Sequence, residues 1–154
     1  MQVLFLILIL STATLLGNEF SVGVFIHPAL SRTQHERFLP AIQVFAALFG
    51  KIMPFWMAAT VLLHLILLGL TWDWPAPHTV LLLAATLLWI VIIVFSLIGP
   101  VPINNRVKAW DTQKLPPDWQ EQRRCWDRLN AIRIVMIALA FLALILSYKT
   151  LVMR

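Results

Sequence analysis

Apolar residues are clustered into four long runs, at approximately residues 3–27, 52–71, 79–98 and 131–148, and the polar and proline residues lie between them. A helix that crosses a bilayer needs about 20 predominantly apolar residues, and each run is close to that length. The first run ends at His27-Pro28, where proline disfavours continuation of a helix. The polar stretch SRTQHERF follows, and Pro40 can open the next helix at its first position. Residues 41–50 are amphipathic and are expected to lie along the membrane interface, with Pro54 kinking the chain as it enters the second span. Trp72 and Trp74 suit an aromatic belt at the far surface. The third run stops at GPVPINNRVKAW, which has two prolines within three residues. Asp118 in LPPDW can cap a helix that runs from about 119 through the last span without a break. Short connections favour antiparallel neighbours. The pattern therefore predicts an all-α, integral membrane, up-down-up-down four-helix bundle, with a cytoplasmic interfacial extension of the last helix. Residues 1–154 read as one four-span membrane domain.

Composition supports this pattern. Of the 154 residues, 60% are hydrophobic and only 12% charged, and the mean hydropathy is +0.85. That is too little charge to cover a soluble domain. The first run lacks a basic leader and a small-x-small cleavage site, and it is longer than a signal sequence core. It is expected to be a retained span. The net charge is +5 and is unevenly placed. Arg32, Arg37 and Lys51 follow the first span, and Arg106, Lys108, Lys114, Arg123, Arg124, Arg128 and Arg133 follow the third. The opposite side has only Lys149 and Arg154. The positive-inside rule puts the basic loops in the cytoplasm and both termini outside, as in a bacterial inner membrane protein. The expected partners are the lipid bilayer, through its anionic head groups, and a lipophilic small molecule, with a homo-oligomer left open. No nucleic-acid partner is expected, because the charges flank membrane spans. Cys125 has no second cysteine to pair with; it lies beside Arg123 and Arg124 on an interfacial stretch, where a passive thiol is the simpler reading.

Candidate chemistry starts from Glu19, the one acidic residue within a span. An ionisable group at that depth is costly and normally faces a bundle interior or cavity with a partner. The simpler reading is an ion pair that only fixes helix packing. Glu19, Gly23 and His27 are spaced by fours and share one helical side, with His27 about 12 Å along the axis. Gly23 leaves space for a ligand or for a closely approaching helix. On the last helix Trp126, Asn130 and Arg133 share one side, and Asn104 and Asn105 lie just past the third span. These groups are expected to converge on a polar cavity in the cytoplasmic half of the bundle. Glu19 is a candidate general base, with His27 on its proton route, and Arg133 with the asparagines is a candidate oxyanion site. The candidate catalytic residues are thus Glu19, His27, Asn104, Asn130 and Arg133. The candidate substrate contacts are Gly23, Trp110 and Trp126. The chain carries no standard cofactor motif: either no cofactor or a transition metal on Glu19, His27 and His64 would suit it. His64 alone on an apolar helix is more often a satisfied bundle histidine than a ligand. His35 and His78 fall in connections and are expected to be solvent-exposed.

LGNEFSVGVFIHPAL at the first span, VPINNRVKAW after the third and CWDRLNAIR opening the fourth resemble the anthrone-oxygenase-like family of small four-span membrane proteins. The most specific parts are Pro102 with Asn104, and the block Trp126, Asn130 and Arg133; Pro28 also fits. Where many bacterial members carry a histidine after the asparagine of the last block, this chain has Ala131. The resemblance implies a four-helix bundle and an oxygenase that acts on anthrone-like compounds, a chemistry needing deprotonation of an activated CH₂ or phenol and reaction of the anion with dioxygen. The leading expectation is a membrane oxidoreductase or oxygenase acting on a lipophilic aromatic or quinone-like molecule. Its rivals are a metal-dependent membrane enzyme, a non-enzymatic small-molecule or proton carrier, and a subunit of a larger membrane complex.

Overall fold

The computed structural model describes residues 1–31, 35–111 and 115–153, with the side chains of 31 and 35–38 left undescribed. The expectations that rest on Arg32, His35, Arg37, Lys114 and Arg154 lie outside the described residues. Among the described residues, six α-helices and one wide turn make up the regular structure: α1 (Gln2–Ser21), a π turn (Val22–Ile26), α2 (His27–Ser31), α3 (His35–Leu70), α4 (Pro77–Ile98), α5 (Pro100–Ala109) and α6 (Trp119–Val152). Four helical stretches are long and apolar enough to cross a membrane: Gln2–Leu30, Leu39–Leu70, Pro77–Ala109 and Trp119–Val152. The protein is an integral membrane protein, an all-α bundle of four spans. Leu62, Leu87, Val94, Leu139 and Leu142 are exposed on its outside, as lipid-facing side chains should be.

Three buried layers hold the spans together. Phe5, Leu8, Leu67, Leu82 and Leu144 pack at the end that carries both termini. Leu15, Met57, Trp89, Ile92 and Ile137 fill the middle. Val22, Ile42, Ile103, Val107 and Trp126 close the opposite end. The helix α6 packs most extensively on α4 and also against α1, while α3 touches α1, α4 and α5.

Several local expectations are corrected. Pro40 does not open a helix: α3 is continuous over 36 residues and contains both Pro40 and Pro54. Residues 41–50 therefore belong to the same continuous helix as the second span and do not form a separate one; at 1.5 Å per residue α3 is about 54 Å long, so part of it extends beyond a hydrocarbon core of about 30 Å. Neither does His27-Pro28 end the first span. The π turn lies directly before Pro28, and α2 then continues. The third span breaks at Gly99 (φ −106°, ψ −90°), and α5 restarts with Pro100 in its first turn, where a missing N–H costs nothing. Asp118 is at the start of α6 but makes no side-chain cap; its carboxylate accepts from Gln122 Nε2 at 2.8 Å instead. His78 is buried, not exposed. It donates from Nε2 to the Thr71 carbonyl at 3.1 Å, and its own carbonyl accepts from Ser147 Oγ at 2.7 Å, so this connection is tied into the bundle end. Trp72 and Trp74 stack on each other at the exposed tip (6.3 Å, 18°), in keeping with an interfacial belt.

Candidate functional site

Glu19 is in the last turn of α1 and Arg133 lies about four turns into α6; both are buried. A buried charge is tolerated only with a partner of opposite sign and further hydrogen bonds. Arg133 supplies both, donating from Nη2 to Glu19 Oε2 and to Asn130 Oδ1, the latter at 2.8 Å. Asn130 precedes Arg133 by one helical turn, which brings the amide beside the guanidinium. Arg133 Nε and Asn130 Nδ2 are buried and make no hydrogen bond among the described residues.

Gly23 explains how α1 and α6 come so close. A Cβ at this position would stand 2.5 Å from Asn130 Nδ2 and 3.1 Å from Ile134 Cδ1. The glycine therefore forms a notch for Asn130; it is not on the wall of the cavity described below. Of the two readings of Gly23, close helix approach is the one the geometry realises.

The π turn sets the direction of His27. In a straight α-helix, eight residues turn the face by about 80° beyond two full turns. The wide turn absorbs one residue, so His27 returns to within about 20° of Glu19. Both residues line the same cavity. The His27 ring stacks on Trp126 (4.1 Å, 24°) and donates from Nδ1 to Asp127 Oδ1 at 3.1 Å. Asp127 also faces Arg123, four residues earlier, at 3.8 Å.

The cavity has a volume of about 380 Å³. Small-molecule sites usually fall at about 300–1,000 Å³. Phe45, Phe49, Met53 and Met57 of α3 form much of its apolar wall, with Ile93 of α4. Polar groups reach it from the first, third and fourth spans: Asn18, Glu19 and His27; Ser96, Asn104, Asn105 and Lys108; Arg123 and Arg133. Trp110 and Trp126 are also on the wall. Gln43 holds α5 in place, donating from Nε2 to the carbonyls of Val107 (3.1 Å) and Trp110 (2.9 Å).

The cavity thus brings together Glu19, His27, Asn104, Trp110, Trp126 and Arg133, and Asn130 joins from behind Arg133. His64 is not among them. It is fully buried in the middle of the bundle, donates from Nδ1 to the Thr60 carbonyl at 2.9 Å and faces Trp89, with ring centroids 6.2 Å apart. No three His, Cys, Asp or Glu side chains cluster to hold a metal among the described residues, so the donor set Glu19, His27 and His64 does not assemble. Asp127 was missed by sequence reasoning. Its spacing of four from Arg123 marks only a surface pair, and nothing in the sequence joins it to His27 a hundred residues away.

The family model described as Anthrone oxygenase matches residues 43–143, and the chain belongs to that family. The match includes Asn104, Asn130 and Arg133, while Glu19 and His27 precede it. No curated protein and no solved structure matches the chain.

Proposed function

We propose that this member of the anthrone oxygenase family oxidises an activated methylene of a lipophilic aromatic or quinone-like compound from within the bilayer. The observation that carries this reading is the buried Glu19–Arg133–Asn130 arrangement at the wall of a largely apolar cavity. Ionised Glu19 takes a proton from the CH₂, whose acidity comes from the adjoining rings. Negative charge leaves the carboxylate as it develops on the substrate oxygen. Arg133, with Asn104 nearby, stabilises that oxyanion, so one partner of the guanidinium is exchanged for another. The substrate carbanion gives its electrons to dioxygen and forms a C–O bond. Protonated Glu19 returns its proton to the resulting peroxide. Removal of the second C–H by Glu19 then expels hydroxide, which leaves as water with that proton. The balance is R₂CH₂ + O₂ → R₂C=O + H₂O: the carbon is oxidised by four electrons, one oxygen stays as the ketone and the other becomes water. His27, which is stacked on Trp126, shares the cavity wall with Glu19 and bonds the half-exposed carboxylate of Asp127, provides the exchange route to solvent.

The test is turnover of an anthrone by purified protein in nanodiscs under ¹⁸O₂. One labelled oxygen should enter the quinone at a rate well above that in empty nanodiscs. Equal rates with and without the protein would contradict the reading.

A further inference from the structure

The charges on the cavity wall do not cancel. Glu19 is matched by Arg133, and Asp127 stands against both Arg123 and His27. Lys108 has no acidic partner among the described residues. It projects from the last turn of α5 and reaches across to α3, its Nζ 3.8 Å from where a Gly50 Cβ would be. Two further donors, on residues that line the cavity, lack acceptors among the described residues: the Trp126 indole Nε1 and Arg133 Nε, both buried. The α3 part of the wall, which Lys108 reaches, is aromatic and thioether carbon from Phe45, Phe49, Met53 and Met57. Buried donors without acceptors are costly, and an uncompensated ammonium at the rim of an apolar cavity attracts an anion.

We propose that the ligand of this cavity is an amphipathic aromatic anion, its ring system held against Phe45, Phe49 and Met53 and its ionised oxygen substituent held by Lys108. A neutral quinone offers carbonyl acceptors but leaves the ammonium without a counter-charge. A carboxylate or phenolate answers it. Lys108 thereby selects the substrate without touching the reacting carbon. This inference rests on the small-molecule reading of the cavity and names its substrate class. An anionic lipid head group offers Lys108 the same chemistry, so the test separates the two sources.

The experiment is equilibrium dialysis of anthraquinone-2-carboxylate and anthraquinone-2-carboxamide against the protein in phosphatidylcholine nanodiscs, with empty nanodiscs subtracted. The carboxylate should bind about tenfold more tightly than the amide. Lys108→Gln should reduce that preference to within about twofold, and Lys51→Gln, whose lysine is off the cavity wall, should leave it intact. Equal binding of the two probes by the native protein would overturn the proposal, as would a preference that survives Lys108→Gln. Loss of the preference when phosphatidylglycerol is added would assign Lys108 to lipid head groups and also overturn it. An anion preference that depends on Lys108, without anthrone oxidation, would remove the oxygenase reading and leave the binding site standing.

Discussion

Glu19 and Arg133 are each expensive inside a membrane, and their proximity makes each tolerable. Arg133→Ala leaves a buried carboxylate alone and should cost about 3–5 kcal/mol. Glu19→Gln/Arg133→Met should cost clearly less than the two single changes added, because neither charge is then stranded. Thermal unfolding in detergent around this double-mutant cycle gives the coupling; strict additivity would mean that the pair contributes nothing. Gly23 gives a second, steric test. Gly23→Ala drives a methyl into Asn130 and Ile134 and should destabilise by about 1–3 kcal/mol. Gly17→Ala meets nothing within 4 Å and should be neutral or slightly stabilising. Equal melting shifts for the two would remove the notch from the account. Much of this was legible: a lone acid in an apolar run demands a partner, and Arg133 was the cation at comparable depth. Gly23 was ambiguous, since a missing side chain looks the same whether a ligand or a helix takes its place. His64 is the satisfied bundle histidine that its apolar surroundings favoured; its alternative reading as a ligand beside Glu19 depended on the phase of a 36-residue helix, which no local signal fixes.

At the scale of elements, the π turn is the device that the sequence concealed. Four-residue spacing suggested that Glu19 and His27 share a side, but on a straight helix they would diverge by about 80°. The wide turn restores the alignment, and its position just before Pro28 gives the proline ring room at the preceding carbonyls. Deleting Val24, which is exposed within the turn, should therefore convert it to an ordinary α turn and keep His27 facing the cavity. Deleting Ala13 from the straight part of α1 rotates one half of the helix by about 100° against the other and exposes a buried layer. The first deletion should fold and melt close to the native protein, and the second should not. If both fail alike, the turn is not an absorbed extra residue. The prolines misled for a related reason. Pro40 and Pro54 are punctuation in a soluble helix, but within a long helix that is packed on neighbours a lost N–H is one bond among many. His78 misled in the opposite sense: flanked by turn residues, it reads as loop, yet the second connection folds back and buries it.

At the scale of the whole molecule, the four spans were readable from hydropathy alone, because lipid demands long apolar helices and forgives little. The convergence of Asn104 was also expected, but the places of Lys108 and Asp127 were not, since they lie in stretches that read as ordinary basic, membrane-flanking surface. Ten of the twelve Lys and Arg residues follow the first and third spans, so both termini should face away from the cytoplasm. Single cysteines placed at Gln2 or Met153 in a Cys125→Ala background should label with an impermeant reagent in intact cells. Labelling only after permeabilisation of the cytoplasmic membrane would reverse the orientation. The central claim is that the buried carboxylate does chemistry beyond packing. The most direct measurement is anthrone turnover by Glu19→Gln beside the native protein, both in nanodiscs and both with helical content verified. Glutamine keeps the shape and loses the base, so kcat should fall by about 100-fold or more while the fold persists. Native turnover in a folded Glu19→Gln protein would contradict the account and leave Glu19 as one half of an ion pair that only packs the bundle.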